Sequence, residues 1–474
     1  MQQKPAATSG VVLGVAVLAA FGAGYSANEW RDAKRSGWAP QDPSPITALI
    51  RTADGNLAQG NLGDPSCARA YKPDLKPYET LEEVRQAIKE NFVKPKVDDT
   101  QLTYGAVRGM LRSLDDRFTR FLTPKEYEDF NDRNSAEFTG IGARIDIKDD
   151  YRGGPQSKPF GASRPYIFEP IENSPAVKAG IKKNDVILEI NGKSTADMSD
   201  EATVALIRGE RGTTVKLKIE RNIAPVDKDP KKNDDSRRDG SADGTFEILN
   251  LEVKRDLIEM HPVKLEWMPG NIAWLRLDEF NKKSDAEMTA ALKKAQQGPD
   301  GKGPANGLIL DLRNNPGGLL DVAVDIGSRF VQSGPIVYTK ERTGQERSLN
   351  AESNRFLNLK MPIVVLINNY SASAAEIITG ALKDKGLATV VGEQSYGKAS
   401  VQVLVDLKNG GALVITTAKY LTPSKRDISE KGIAPDVTVK ASTEDEATGR
   451  GEQLNKAVAL IKEKAAVAVA ARTN

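Results

Sequence analysis

The chain has 474 residues, 39% of them apolar, which at about 150 residues per domain allows two or three packed domains. Its 67 basic and 65 acidic residues leave a net charge of +2, and no nucleic-acid-binding motif is present, so nothing argues for DNA or RNA. One cysteine, Cys67, excludes an internal disulfide framework and a cysteine-rich zinc site; it reads as a bystander in a polar loop.

Residues 10–27 carry no charge, with Lys4 before them and Asn28, Glu29, Arg31, Asp32, Lys34 and Arg35 after. The run is near the lower limit for crossing a bilayer, and a secretory signal has the same form. Gly24, Ser26 and Ala27 suit cleavage. We expect an exported, extracytoplasmic protein (periplasmic or cell-envelope), with a cleaved signal peptide and a retained membrane anchor as equal alternatives.

Residues 28–77, rich in Pro, Gly, Asp and Ala, read as a linker. Leu81, Val84, Ile88 and Phe92, then Val107, Met110, Leu111 and Leu114, recur at helical spacing, so 78–137 is a helical segment. Residues 139–147 alternate as a strand, and 166–171 form another. Ser174-Pro175 opens a short helix that Gly180 closes. Residues 185–192 form a strand running into an Asn-Gly turn. A helix near 199–208 and a strand at 214–219 follow. Residues 222–244 are charged, with almost nothing apolar to bury, and read as a mobile loop; 249–257 return to alternation. Beyond them, apolar runs at 271–277, 307–312, 362–367 and 387–391 alternate with helical stretches near 284–296, 319–331 and 373–384. That pattern predicts a buried sheet covered by helices. Segments 400–407 and 412–418 flank Asn409-Gly410-Gly411 as a hairpin. From Glu446 the chain reads as a polar helix with an Ala/Val-rich end. The fold class is mixed α/β.

Ser373 follows the strand 362–367 and the break Asn368-Asn369-Tyr370, on a strand-to-helix turn near the unpaired N–H groups of a helix start. A tetrahedral oxyanion needs such donors, and the Ala374 N–H is a candidate. Ser373-Ala374-Ala375-Glu376 equally fits a capping box, and Ser371 is a second candidate cap, so capping and catalysis are alternatives here. A histidine base for this serine could only be His261, which precedes Pro262 and reads as a surface or packing residue. Lys398 opens a strand on which Lys398, Ser400, Gln402 and Leu404 share one face, with Ala399, Val401, Val403 and Val405 turned to the core. That face suits a lysine base with Gln402 as its orienting partner; a solvated lysine beside a glycine is the alternative. To work at neutral pH the amine must fall by roughly 3 units from about 10.4, about 4 kcal/mol, which burial among apolar groups can supply provided no carboxylate pairs with it. In Asp311-Leu312-Arg313-Asn314-Asn315-Pro316-Gly317-Gly318, the glycines let a backbone approach a ligand. Gly317 or Gly318 offers a second oxyanion N–H, and a plain tight turn is the alternative. No lysine follows them, against a phosphate loop.

Leu114-Asp115-Asp116-Arg117-Phe118 with its continuation to Pro124, the opening 139–142, Leu312 to Gly318, Ser371 to Glu376, Val391 to Gln402 and Tyr420-Leu421-Thr422-Pro423-Ser424 stand in this order. Together they resemble the carboxyl-terminal processing proteases, a Ser/Lys peptidase family, over roughly residues 78–460. The resemblance implies a crotonase-like α/β protease core at 258–442 with N-terminal helices packed on it, an inserted PDZ domain at 138–257, and a C-terminal helix or tail at 443–474. It implies Ser373 as nucleophile, Lys398 as general base and Gln402 as the residue that orients the lysine. The oxyanion hole it implies is the Ala374 N–H with one from Gly317 or Gly318. In the PDZ domain it implies that Gly140-Ile141-Gly142 binds a peptide's C-terminal carboxylate while the peptide adds as a strand, with Val204 and Ile207 lining the apolar pocket.

The implied function is a serine endopeptidase processing exported proteins near their C-termini, on protein substrates with exposed apolar tails. It needs no metal or cofactor and no nucleic acid. A retained 10–27 segment would add membrane association, and an adaptor or a homo-oligomer stays open. Two segments, 148–165 and 222–244, are longer than the family requires; the first widens a PDZ loop and bears on what that domain binds. A PDZ domain covering the cleft until a peptide docks is a further expectation. Two rivals exist. One is a PDZ scaffold with a dead core, against which the intact Ser373, Lys398 and Gln402 set speaks. The other is an acyl-thioester enzyme, which a PDZ insertion does not explain.

Overall fold

The computed structural model describes residues 48–51, 57–60, 76–94, 96–223 and 245–473. Cys67, the segment 10–27 and most of the 222–244 insertion lie outside the described residues. Among the described residues no helix is long and apolar enough to cross a membrane.

The chain divides into two units, one from Ala20 to Phe121 and a larger one continuing from Leu122 to the end. In the smaller unit, helices Pro77–Asn91 and Asp99–Arg112 form where the spacing predicts them. Asp98 caps the second by accepting from the Thr100 and Gln101 N–H groups. Arg85 and Lys89 of the first helix pair with Asp99 of the second at 2.8 and 2.6 Å. Leu81, Val84, Phe92, Met110 and Leu114, the predicted apolar stripes, are exposed.

The larger unit opens with helix Pro124–Ser135, capped reciprocally by Thr123 and Glu126. Strand Glu137–Gly140 follows and pairs antiparallel with Asp256–Glu259, Gly140 opposite Asp256. The described residues between these two strands belong to one sheet module. Its strands lie in the order 246–254, 214–222, 186–190, 162–170, 143–151, so Ala143–Tyr151 is an edge. Antiparallel alternation shows in Thr214–Asn222, where Val215, Leu217 and Ile219 are buried and Thr214 and Lys216 exposed. Helix Asp200–Ile207 packs near the edge strand. The 148–165 segment is tied down: the Tyr151 hydroxyl and the Gly154 N–H donate to Glu220 Oε1 at 2.8 and 3.1 Å. Buried Arg164 donates to the carbonyls of Leu188, Ser157 and Lys158.

The second sheet orders its strands 263–268, 272–277, 307–311, 363–367, 389–392, 437–438; the first pair is antiparallel and the rest parallel. Gly307–Asp311 and Ile363–Ile367 are buried throughout, as parallel strands covered on both faces must be. Leu454, Ala457 and Ile461 of helix Glu452–Thr473 join Ile272, Trp274, Ile309, Val364 and Leu366 in one core cluster. The C-terminal segment is thus a helix whose Leu454, Ala457 and Ile461 help complete the core. Helices Ser284–Gln297, Leu320–Phe330 and Ala374–Asp384 pack on one another in that order. An antiparallel sheet ordered 346–350, 335–341, 412–421, 400–406 stands beside them; its hairpin 335–350 is not among the predicted elements.

Candidate active site

Three loops leave the carboxyl ends of adjacent parallel strands: 312–319 after Gly307–Asp311, 368–373 after Ile363–Ile367, and 393–399 after Thr389–Gly392. Ligands settle at such strand ends in open α/β sheets. The first two loops are stitched together. The Ser371 hydroxyl donates to Leu312 O at 2.7 Å, the Asn314 N–H to Asn368 Oδ1 at 2.9 Å, and the Ala372 N–H to Asn315 O at 3.0 Å. Ser371 is thus a loop staple and not a helix cap. The Tyr396 N–H joins the third loop through Ser371 O at 3.0 Å.

Ser373 precedes helix Ala374–Asp384 with φ 54° and ψ −114°. Ser174, Ser199 and Ser442 cap their helices from extended backbone, with φ between −69° and −86°, and each accepts a helix amide. The Ser373 backbone instead occupies a strained region for a non-glycine residue, as at the sharp strand-to-helix turns that present nucleophiles. Glu376 does return to the Ser373 N–H at 2.8 Å, as a capping box requires. Its carboxylate also accepts from the Lys398 N–H at 2.9 Å, the Gly397 N–H at 2.7 Å and the Ser395 hydroxyl at 2.5 Å. Burial pushes the Glu376 carboxyl up from its ordinary 4.5, against the pull of its bonds from Ser395, Gly397, Ser373 and Lys398.

Lys398 is wholly buried, and Ser373 and Gln402 are 2% and 1% exposed. The solvated-lysine alternative is therefore excluded. Lys398 precedes its strand, which begins at Ser400. The pairing register shifts between Val401 and Gln402, with Thr417 skipped on the partner strand; both residues are buried, while Val405 on the predicted core face is exposed. The Gln402 amide nitrogen donates to Ser400 Oγ at 2.7 Å and Thr416 Oγ1 at 3.2 Å.

Gly317 lies against the Ser373 turn: a Cβ there would meet Ser373 Cβ and Ala372 O at 2.8 Å and Ala374 N at 3.0 Å. Its own N–H donates to Asn315 Oδ1 at 2.8 Å. Phe280 bridges the loop, donating to Gly317 O and accepting from the Leu319 N–H, which leaves the intervening Gly318 amide directed away from Phe280. Neither the Gly318 nor the Ala374 N–H has an acceptor among the described residues. Of the two glycines in the sequence reading, only Gly318 keeps an N–H to offer.

Behind this loop, Arg313 donates to Asp311, to Asp445 Oδ1 at 3.0 Å and to Gly449 O at 2.7 Å, and Trp274 Nε1 donates to Asp311 at 3.0 Å. The single histidine, His261, pairs with Glu287 on the surface. In the sheet module, Gly142 has φ 75° and no room for a Cβ, which would meet Ser174 Cβ at 2.3 Å. The Ile141 and Gly142 carbonyls accept from Ala176 and Ile171. Gly140 belongs to the preceding strand pair, so the loop proper is Ile141-Gly142. Ile141 and Ile207 are buried in the module's core, and Val204 is half-buried.

Tyr420, Asn315 and the Asp311–Arg313–Asp445 cluster are absent from the sequence reading of the site. Arg313, Asn315 and Tyr420 fall inside the matched motifs, which is the signal that could have found them; Asp311 and Asp445 lie outside them.

The chain matches peptidase family S41 over 271–439, the PDZ domain over 167–221 and the activating protease CtpB N-terminal domain over 56–125. It is 33% identical to the carboxy-terminal processing protease CtpA of Bacillus subtilis, over 83% of this chain and 75% of that one. It is 34% identical to a carboxyl-terminal-processing protease of Synechocystis, over 74% of each chain. A solved structure titled photosystem II D1 C-terminal processing protease aligns with 76% of this chain and 92% of its own, at 28% identity and a TM-score of 0.42.

Proposed function

The chain belongs to the carboxyl-terminal processing proteases of peptidase family S41, serine-type peptidases, and on that premise we propose that Ser373 and Lys398 form its catalytic dyad. The observation that carries this is one carboxylate, Glu376, gripping the backbone of both residues while Lys398 is wholly buried. An ammonium withdrawn from water is penalised, so burial drives this amine toward the neutral form a base requires.

Ser373 Oγ attacks a peptide carbonyl and Lys398 takes its proton. The Gly318 and Ala374 N–H groups receive the oxyanion. Lys398 returns the proton to the leaving amine, then activates the water that hydrolyses the acyl-enzyme. Both hydrogens of the Gln402 amide are engaged by Ser400 and Thr416, so its Oε1 is the atom that orients the amine.

The PDZ domain selects substrates by an apolar C-terminal tail added to the edge strand Ala143–Tyr151. The Ile141-Gly142 amides take the carboxylate, and Val204 lines the pocket over a floor of Ile141 and Ile207. Docking reaches the dyad through helix Pro124–Ser135. Arg208, at the end of the groove helix, binds Asp129 and Asp132 of that helix, and its Tyr127 donates to Asp406 on the strand that carries Gln402. Substrates are exported proteins, reached because residues 10–27 direct export.

The test is wild type, Ser373→Ala and Lys398→Ala incubated with an extracytoplasmic proteome, new C-termini being read by mass spectrometry. Both variants should generate none; cleavage persisting in either sinks the dyad.

A further inference from the structure

We propose that Tyr420 is a positioning residue for the Ser373 and Lys398 pair, its hydroxyl donating to Lys398 O beside Ser373 O while Glu376 gathers the amides of both residues. The inference rests on the dyad reading above.

Tyr420 lies on strand Ala412–Leu421 and is 2% exposed. Its hydroxyl donates to Lys398 O and lies 3.2 Å from Ser373 O. Its N–H donates to Ala399 O at 2.9 Å, fixing the strand to the residue after the lysine. A buried phenol needs a polar partner, and both of its carbonyl partners belong to the residues whose relative placement decides the chemistry. Ser373 sits on a strained turn that surrounding contacts must hold, and Lys398 lies in a loop before its strand begins. The carboxylate thus holds the N–H of both residues, and the phenol holds the C=O of Lys398 next to that of Ser373, which itself accepts from the Ile377 N–H. Burial and the neighbouring Glu376 hold the phenol protonated far above its ordinary range, so it stays a donor wherever the enzyme works.

The experiment measures kcat and KM against pH on a peptide with a free apolar C-terminus, using the full chain as wild type, Tyr420→Phe, Ser373→Ala and Lys398→Ala. Tyr420→Phe keeps the ring and removes the donor. Its kcat should fall about ten- to hundredfold with KM within about twofold, and the rise of kcat with pH should move to higher pH as Lys398 loses its seat. An unchanged kcat and pH profile, or a loss confined to KM, overturns the clamp while inactive Ser373→Ala and Lys398→Ala leave the dyad standing. Activity in either of those two overturns the dyad and the clamp with it. Should Tyr420→Phe fail to fold, 3,5-difluorotyrosine at position 420 keeps ring and hydroxyl but alters the donor, and a kcat indifferent to it overturns the proposal.

Discussion

Ser373 and Lys398 present their backbone N–H groups to the same oxygen, Glu376 Oε2, at 2.8 and 2.9 Å. Two loops from different strands are thereby registered to one charge, and hydrogen bonds to a carboxylate are stronger than neutral ones. Glu376→Gln replaces one acceptor oxygen by a donor facing backbone amides. We expect kcat to fall about a hundredfold with KM little changed, measured by steady-state kinetics on a tailed peptide.

The close fit of Gly317 gives a second expectation. Its φ of 103° is costly for any other residue, and a Cβ would press on Ser373 Cβ at 2.8 Å. Gly317→Ala should lower kcat by at least about a hundredfold by displacing the serine turn. A variant with normal turnover would show that the turn yields without consequence.

The Arg313 cluster makes acid stability testable. Burial raises the Asp445 pKa, but bonds from Ser442 and Gln453 and the charge of Arg313 outweigh it and hold the carboxyl below its ordinary 3.8. A depressed pKa contributes stability that is complete above the unfolded value and fades as pH falls through the folded one. Asp445→Asn should therefore melt below wild type at neutral pH, and the two melting curves should converge as pH drops beneath about 3.8. Thermal melts across that window decide it.

Tail reading and coupling can be separated. Amidating the substrate C-terminus should slow cleavage, because the Ile141-Gly142 amides then face no carboxylate. Arg208→Ala removes the contacts to Asp129 and Asp132 and should leave tail affinity within about twofold while reducing tail-stimulated kcat about tenfold. Calorimetry and kinetics on the same peptide distinguish the two; equal cleavage of free and amidated tails refutes the coupling.

The parallel sheet was legible because its buried strands are unbroken apolar runs, as in Ile363–Ile367. The serine turn was legible only as an ambiguity, since a cap and a nucleophile share the pattern Ser-x-x-Glu; the positive φ of Ser373 is what that pattern does not encode. The choice between Gly317 and Gly318 depended on Asn315 taking one N–H, a contact no spacing encodes. The core face of 400–406 was read correctly at Ala399 and Val401, which are buried, but not at Val405, which is exposed, nor for Gln402, which is buried on the opposite face. Tyr420 lay inside a matched motif, but its approach to Ser373 and Lys398 requires three segments to converge, which no spacing encodes.

Glu137–Gly140 and Asp256–Glu259 lie side by side, so the chain enters and leaves the sheet module at one strand pair. Its interior can be exchanged or lengthened without moving the catalytic strands, as insertions tolerate change when their ends stay adjacent. Whatever that interior binds can thus be altered by substitution while the entry and exit strands stay where they are.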